Sequence, residues 1–185
     1  MTGPPRRLDL LAGVLSYLLP GLGQVLQGRL GKGVLFFVCL HALFFYGLWL
    51  GSWRNVWLPE GGRLPDAALP LVGKLGGPAK AVYYRLQFLG QFGIGMQAWP
   101  AVIQYAAADP AADPEDKPKP LPVLGLYMQA PTEAELNDLQ RDGDKRFDLA
   151  WVYTVIAGVL NVLVVCDAAA GPAVRDDDDE PKGAG

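Results

Sequence analysis

Four long apolar runs alternate with polar, proline-rich stretches along the chain. A hydrocarbon core of ~30 Å needs about 20 mainly apolar residues in helical form. The first run, Leu8 to Gln27, reaches that length only by including Pro20, Gly21 and Gly23. The second, Gly33 to Trp53 (GVLFFVCLHALFFYGLWLGSW), carries no formal charge. The third, Leu86 to Ala108, is also uncharged and holds Gln87, Gln91, Gln97 and Gln104. The fourth, Leu149 to Ala170, has a single acid, Asp167, near its end. The pattern predicts an all-α integral membrane helical bundle of about four transmembrane helices, opened by a glycine-turned N-terminal hairpin.

The punctuation between runs divides the chain further. Residues 1–53 form the two-helix hairpin and 54–85 a Pro/Gly-rich connection; 86–108 are the third span. A flexible connector plus a short amphipathic helix occupy 109–148, the fourth span 149–170, and an acidic, disordered tail 171–185. Trp49, Trp53 and Trp57 cluster where the second run ends, as an interfacial belt requires, and Trp151 with Tyr153 marks the fourth run in the same way. Within the first connection, Gly77-Pro78 reads as a helix start, because proline suits a first helical position. Thr132 and Glu135 have the spacing of a capping box, and Asp142-Gly143-Asp144 ends the helix they begin.

The junction LLPGLGQVLQGRLGKG, Leu18 to Gly33, crowds glycines between two apolar runs. In lipid every backbone N–H and C=O needs a partner, so a chain reversing at the membrane edge has few conformations open to it. Gly28 is expected to take the left-handed conformation that closes a helix, with Gly31 and Gly33 letting the next begin at once. Gly21 and Gly23 remove side chains where helices approach, since small residues permit the close backbone contact that drives helix association in membranes. Pro20 deletes one helical hydrogen bond, and Gln24 is the expected partner of the freed carbonyl. Arg29 and Lys32 are expected to reach lipid phosphates from the turn.

Composition sharpens this picture. Hydrophobic residues make up 51 % of 185 residues, with 23 glycines and 16 prolines, so the mean hydropathy of +0.18 averages greasy runs against polar ones. The net charge of −3 owes much to Asp176–Glu180, and no basic patch is interleaved with aromatics, so nucleic acid is not an expected partner. Cys39 and Cys166 both fall in apolar runs, which argues against a disulfide framework. Neither they nor the single histidine, His41, has metal-ligand spacing, so no cofactor or metal is expected. Arg6 and Arg7 before LDLLAGVLSYLL look like a signal sequence, yet the run enters PGLGQ without a small-x-small cleavage site and reads as a retained span. Four crossings put both termini on one side. That side carries nine Lys and Arg against seven on the other, which favours termini in the cytoplasm.

The set Pro20-Gly21-Leu22-Gly23-Gln24, Gly28-Arg29 and Gly31-Lys32-Gly33 resembles the two-transmembrane-helix ("TM-two") domain family, in which a glycine-rich basic turn joins two short spans. With Leu89 to Pro100 and Arg141 to Pro172, most of the chain resembles an uncharacterised family of bacterial multi-pass membrane proteins. It departs from the common TM-two pattern at Leu26, where an aromatic often follows the Gly-Gln pair. The resemblance implies a bacterial inner-membrane location and no established activity.

Candidate chemistry is sparse. If the hairpin turns near Arg29, Ser16 and His41 lie at similar depth, about 17–20 Å from the turn at ~1.5 Å per residue, so a Ser–His dyad for intramembrane hydrolysis is geometrically conceivable. Ser16 lacks the glycine-flanked setting that exposes a nucleophile, and such side chains in spans commonly bond across helices. Asp167 is the only acid well inside an apolar run, where a carboxylate is costly; its closeness to the end favours interfacial solvation. Gln87 and Gln91 share a helix face, and with Asn161 and Asp167 they are candidates for polar packing. The favoured reading is a structural or organisational membrane module without enzymatic activity, whose partners are the bilayer and a second copy or another membrane protein. The alternatives are a small-solute transporter or channel component built on the third run and, more weakly, the hydrolase.

Overall fold

Two of the four apolar runs form single helices of spanning length, and the other two are broken. The computed structural model describes residues 8–58, 85, 86, 88–108, 121–132, 134, 135, 137, 138 and 145–171. The expected helix start at Gly77-Pro78, the core of the connector at 109–120, Asp142-Gly143-Asp144, the acidic tail and Gln87 lie outside the described residues. Among them the regular structure is helical, with one isolated bridge between Leu121 and Gly125 and no strand.

Helix α1 (Leu10–Leu18) opens with Asp9, whose Oδ1 accepts from the Ala12 amide at 3.1 Å. It stops because Pro20 has no N–H to return to the Ser16 carbonyl and biases Leu19 toward extended backbone, observed at φ −136°, ψ 117°. After Gly21, helix α2 (Leu22–Leu26) runs back alongside α1. Three contacts fix that reversal. Gly23 lies against the Ala12 carbonyl, the Gly23 amide donates to Ser16 Oγ at 3.0 Å, and Gln27 Nε2 donates to Asp9 Oδ2 at 3.1 Å. The first run therefore enters and leaves at the same end.

Gly28 closes α2 with φ +77°. The Arg29 amide donates to Gln24 O at 2.8 Å and the Gly28 amide to Val25 O at 3.0 Å, the paired bonds of a Schellman cap. Helix α3 (Leu30–Leu50) follows at once; its 21 residues rise about 31 Å at ~1.5 Å each, the thickness of a hydrocarbon core. It packs antiparallel on the last helix, α5 (Lys145–Ala170). Lys32 meets Asp167 at one end, and at the other a Cβ on Gly47 would lie 2.9 Å from Ala150 O.

The third run repeats the broken form from the opposite end. Residues 88–92 are helical, and the chain then turns through Gly93, Ile94 and Gly95. Gly95, at φ +97°, ψ −138°, holds a conformation essentially confined to glycine. A 3₁₀ turn (Met96–Ala98) leads into α4 (Trp99–Ala107), with Pro100 in its first turn. Arg85 donates to Tyr105 Oη at 3.2 Å, so this pair also enters and leaves at one end, the end where α3 stops. The two broken pairs touch at their tips: the Tyr17 carbonyl packs onto Gly95, and the Tyr17 and Phe92 rings lie 5.9 Å apart.

The interior combines an apolar core, with Leu40, Phe44, Leu48, Ile94 and Met128 buried, and a set of buried polar side chains, while the two long helices also carry large apolar residues on their outer faces. On α5 the buried stripe is small or polar: Ala150, Thr154, Ala157, Gly158, Asn161, Val164 and Ala168. Its outer face carries exposed Leu149, Val152, Ile156, Leu160 and Leu163. Helix α3 does the same with exposed Val34, Leu35, Phe37, Val38 and Trp49. Exposed apolar faces of this length are more than a water-facing helix ordinarily carries and mark a surface for a partner or a membrane.

Candidate functional site

Polar side chains gather along the buried stripe of α5 in three groups, each tying a different element to that helix. The first is at its C-terminal end. Asp167 accepts from Lys32 Nζ at 2.6 Å and pairs with Arg29 at 3.0 Å, while Gln24 Nε2 donates to its Oδ2 at 3.1 Å. Gln24 is fully buried; it also donates to Val164 O at 2.9 Å and accepts from Ser16 Oγ at 2.9 Å. Gln27 bonds Ala168 O at 2.7 Å, and the Asp9 amide reaches Ala169 O at 2.8 Å. The Ala12 amide and Gln27 hold the Asp9 carboxyl below the ordinary range. Two of the last carbonyls of α5, which a helix cannot satisfy internally, are thus met from the first run: Ala168 O by the Gln27 side chain and Ala169 O by the Asp9 amide.

The second group lies near the middle of α5. Asn161, fully buried, donates to Gly93 O at 3.0 Å and Ile94 O at 3.2 Å, meeting carbonyls that the break in the third run frees. Across the bundle, His41 Nδ1 sits 2.8 Å from Phe37 O and its Nε2 lies 2.7 Å from Gln97 Nε2. A ring N–H on Nδ1 and a lone pair on Nε2 satisfy both contacts.

The third group closes the far end. Gln91 Nε2 donates to Asn55 O and to Thr154 Oγ1, both at 2.9 Å, and Asn55 Nδ2 reaches the same hydroxyl at 3.3 Å. Gln104 donates to Gly125 O at 3.0 Å and Tyr127 O at 3.1 Å. Outside the helices, Thr132 and Glu135 form the expected reciprocal cap, and Arg54 joins Glu135 at 3.0 Å. The Arg54 guanidinium, with the Thr132 amide, lowers the Glu135 carboxyl to about 2.

Several expectations change. Gln24 does not meet the carbonyl freed by Pro20; its amide joins Ser16 to α5. Arg29 and Lys32 turn inward to Asp167 rather than toward phosphates, so this acid is paired and not simply solvated. Pro20 and Gly21 form the break between α1 and α2, and Gly23 and Gly33 lie where the backbones close in: a Cβ on Gly33 would meet Gly21 O at 2.8 Å. Gly31 has open space beside it, so no close approach requires it. Ser16 and His41 are not brought together, each being bonded to a different glutamine. Cys39 and Cys166 are free.

Asn55, Thr154, Gln27 and Tyr17 were not singled out from the sequence. Thr154 had a signal, since Thr154, Asn161 and Ala168 recur every seven residues on one face. Asn55 had none; it is placed by the turn after α3.

These features define an all-helical protein, among the described residues, with two helices long and apolar enough to cross a membrane. The chain belongs to a family of unknown function, DUF6677, which matches residues 11–180. No curated protein and no solved structure matches it.

Proposed function

We propose that this chain is an integral, multi-pass protein of the bacterial inner membrane whose role is structural: a compact scaffold that packs against a second copy or another membrane protein. The observation that carries the membrane part is the apolar outer face of the two long helices, where leucine, valine and phenylalanine lie exposed, while Gln24, Asn55, Gln91, Thr154 and Asn161 are buried beside the apolar core. A soluble core helix is mostly buried, whereas α3 and α5 lie against each other with only 28 % and 33 % of their most apolar stretch buried, which supports the membrane reading.

In this reading α3 and α5 cross the bilayer, and the two broken pairs insert from opposite faces. Irregular backbone at membrane depth is tolerated only where protein or a water-lined cavity covers it. Tyr17, Gly95 and Asn161 provide that cover at the tips. The likeness of the Pro20–Gly33 turn to the TM-two pattern supports a small membrane module built around a basic turn.

The structural role rests on where the interior amides point. Gln24, Gln91, Gln104 and Asn161 all donate to groups on other segments, which favours helix packing over a solute path. Ser16 and His41 are each hydrogen-bonded to a different glutamine, which favours packing over a hydrolytic dyad. Alkaline carbonate extraction tests the membrane assignment: the protein is expected in the pellet, and recovery as a folded monomer in the detergent-free supernatant overturns it. Crosslinking in native membranes tests the scaffold role, with a reproducible adduct to itself or to one membrane protein as the expected result.

A further inference from the structure

We infer that the two long connections, 54–84 and 109–144, face the cytoplasm and that both ends of the chain, together with the Arg29–Lys32 turn, face the other side of the membrane. The inference rests on the membrane reading above and adds a direction to it.

Four successive crossings would separate the Arg29–Lys32 turn from the N-terminal segment by a full bilayer. The contacts join them instead. The Asp9 amide bonds Ala169 O at 2.8 Å, Gln27 bonds both Asp9 and Ala168, and Arg29 with Lys32 holds Asp167. Asp9, Gln27, Arg29, Lys32 and the α5 terminus therefore occupy one end of the bundle. At the other end Arg85 meets Tyr105, Gln104 bonds Tyr127 O, and Met128 N meets Trp53 O at 2.8 Å, so the third run starts and finishes beside the end of α3.

This redistributes the basic residues. With the turn on the same side as the termini, that side holds six of the sixteen Lys and Arg, and the connection side holds ten. The bias that sets membrane orientation counts Lys and Arg in short loops and close to span ends, and acidic residues contribute little to it. Both connections are short enough to count. Arg54 follows α3 directly, and Lys145 and Arg146 begin α5. On the terminal side, Arg29 and Lys32 are already engaged with Asp167. The balance, nearly even for four crossings, now points clearly to cytoplasmic connections.

Single-cysteine variants of the full chain, in a Cys39→Ala/Cys166→Ala background expressed in bacterial spheroplasts, test this with a membrane-impermeant maleimide. Leu8, Gly31 and Ser52 are exposed, and a Cβ at Gly31 meets nothing within 4 Å, so L8C, G31C and S52C disturb little packing. L8C and G31C are expected to label in intact spheroplasts, and S52C at least tenfold more after permeabilisation than before. Labelling of S52C alone in intact spheroplasts reverses the orientation and overturns the inference while leaving the membrane reading standing. Labelling of G31C opposite to L8C shows that the first run crosses, which overturns the inference by its topology. Equal labelling of all three before permeabilisation removes the membrane reading itself. Carbonate-resistant recovery of each variant in the pellet confirms that the labelled protein is inserted.

Discussion

Lys32 and Asp167 stand 135 positions apart in the chain, and their charged atoms meet at 2.6 Å. Arg29 reaches the same carboxylate, and the three side chains are 22–40 % exposed, so the group is neither fully solvated nor fully buried. Removing the acid leaves two cations facing each other against the end of α5. For a partly buried pair, Asp167→Ala is expected to cost about 1–2 kcal/mol, more than a surface bridge and less than a fully buried one. A double-mutant cycle with Lys32→Ala, read by thermal unfolding in detergent, measures the direct term. A coupling of zero would mean that the contact does not fasten α3 to α5.

Gln91 offers a second test, of packing against passage. Gln91→Leu removes the side-chain donor to Asn55 O and leaves Thr154 Oγ1 with Asn55 Nδ2 alone, at a cost of about 1 kcal/mol by ordinary hydrogen-bond magnitudes. Membrane measurements of comparable bonds average nearer ~0.6 kcal/mol. A scaffold therefore stays folded, with a modest loss of melting temperature and unchanged crosslinking. Loss of a transport phenotype at normal protein levels would instead favour a solute route through the third run.

The two helices of spanning length were legible because α3 and α5 are long apolar stretches interrupted by nothing that breaks a helix. The breaks at Pro20 and at Gly93–Gly95 were visible as residues, yet their consequence was not. A run that crosses and one that folds back both satisfy their backbone and both look greasy, so hydropathy identifies the solvent and not the direction of travel. That information sits in contacts such as Asp9 with Gln27 and Arg85 with Tyr105, between positions no periodicity connects. Asn161 and Asp167 were conspicuous as polar residues in apolar surroundings. Their partners were not, because a backbone carbonyl at Gly93 or a turn lysine 135 residues away has no local signature.

The glycines at the turn separate by physical role. Gly28 holds φ +77°, where an added Cβ crowds the following carbonyl at about 1–2 kcal/mol, so Gly28→Ala should destabilise by about that much. Gly31 is helical with open space around it, and Gly31→Ala is expected to be neutral or to stabilise by up to about 1 kcal/mol through helix propensity. Parallel melting curves of the two variants decide the matter. Equal losses would mean that Gly31 is needed for a contact with lipid or a partner.

Glu135 predicts a pH dependence at the connection end. Its carboxyl is lowered from 4.5 to about 2, first by the Arg54 guanidinium and next by the Thr132 amide. A group whose folded value is depressed contributes stability that is complete above its unfolded value and is lost as pH falls toward the folded one. Stability supplied by this pair should therefore be constant above about pH 5 and decline between roughly pH 4.5 and 2. The Glu135 side chain is 36 % exposed, so solvent screening reduces the contribution to about 1 kcal/mol. Arg54→Met removes the largest cause and should flatten the decline while leaving the Thr132 cap in place. Melting temperatures of the two proteins between pH 6 and 3 make the comparison, and parallel slopes would show that other carboxylates set the acid response.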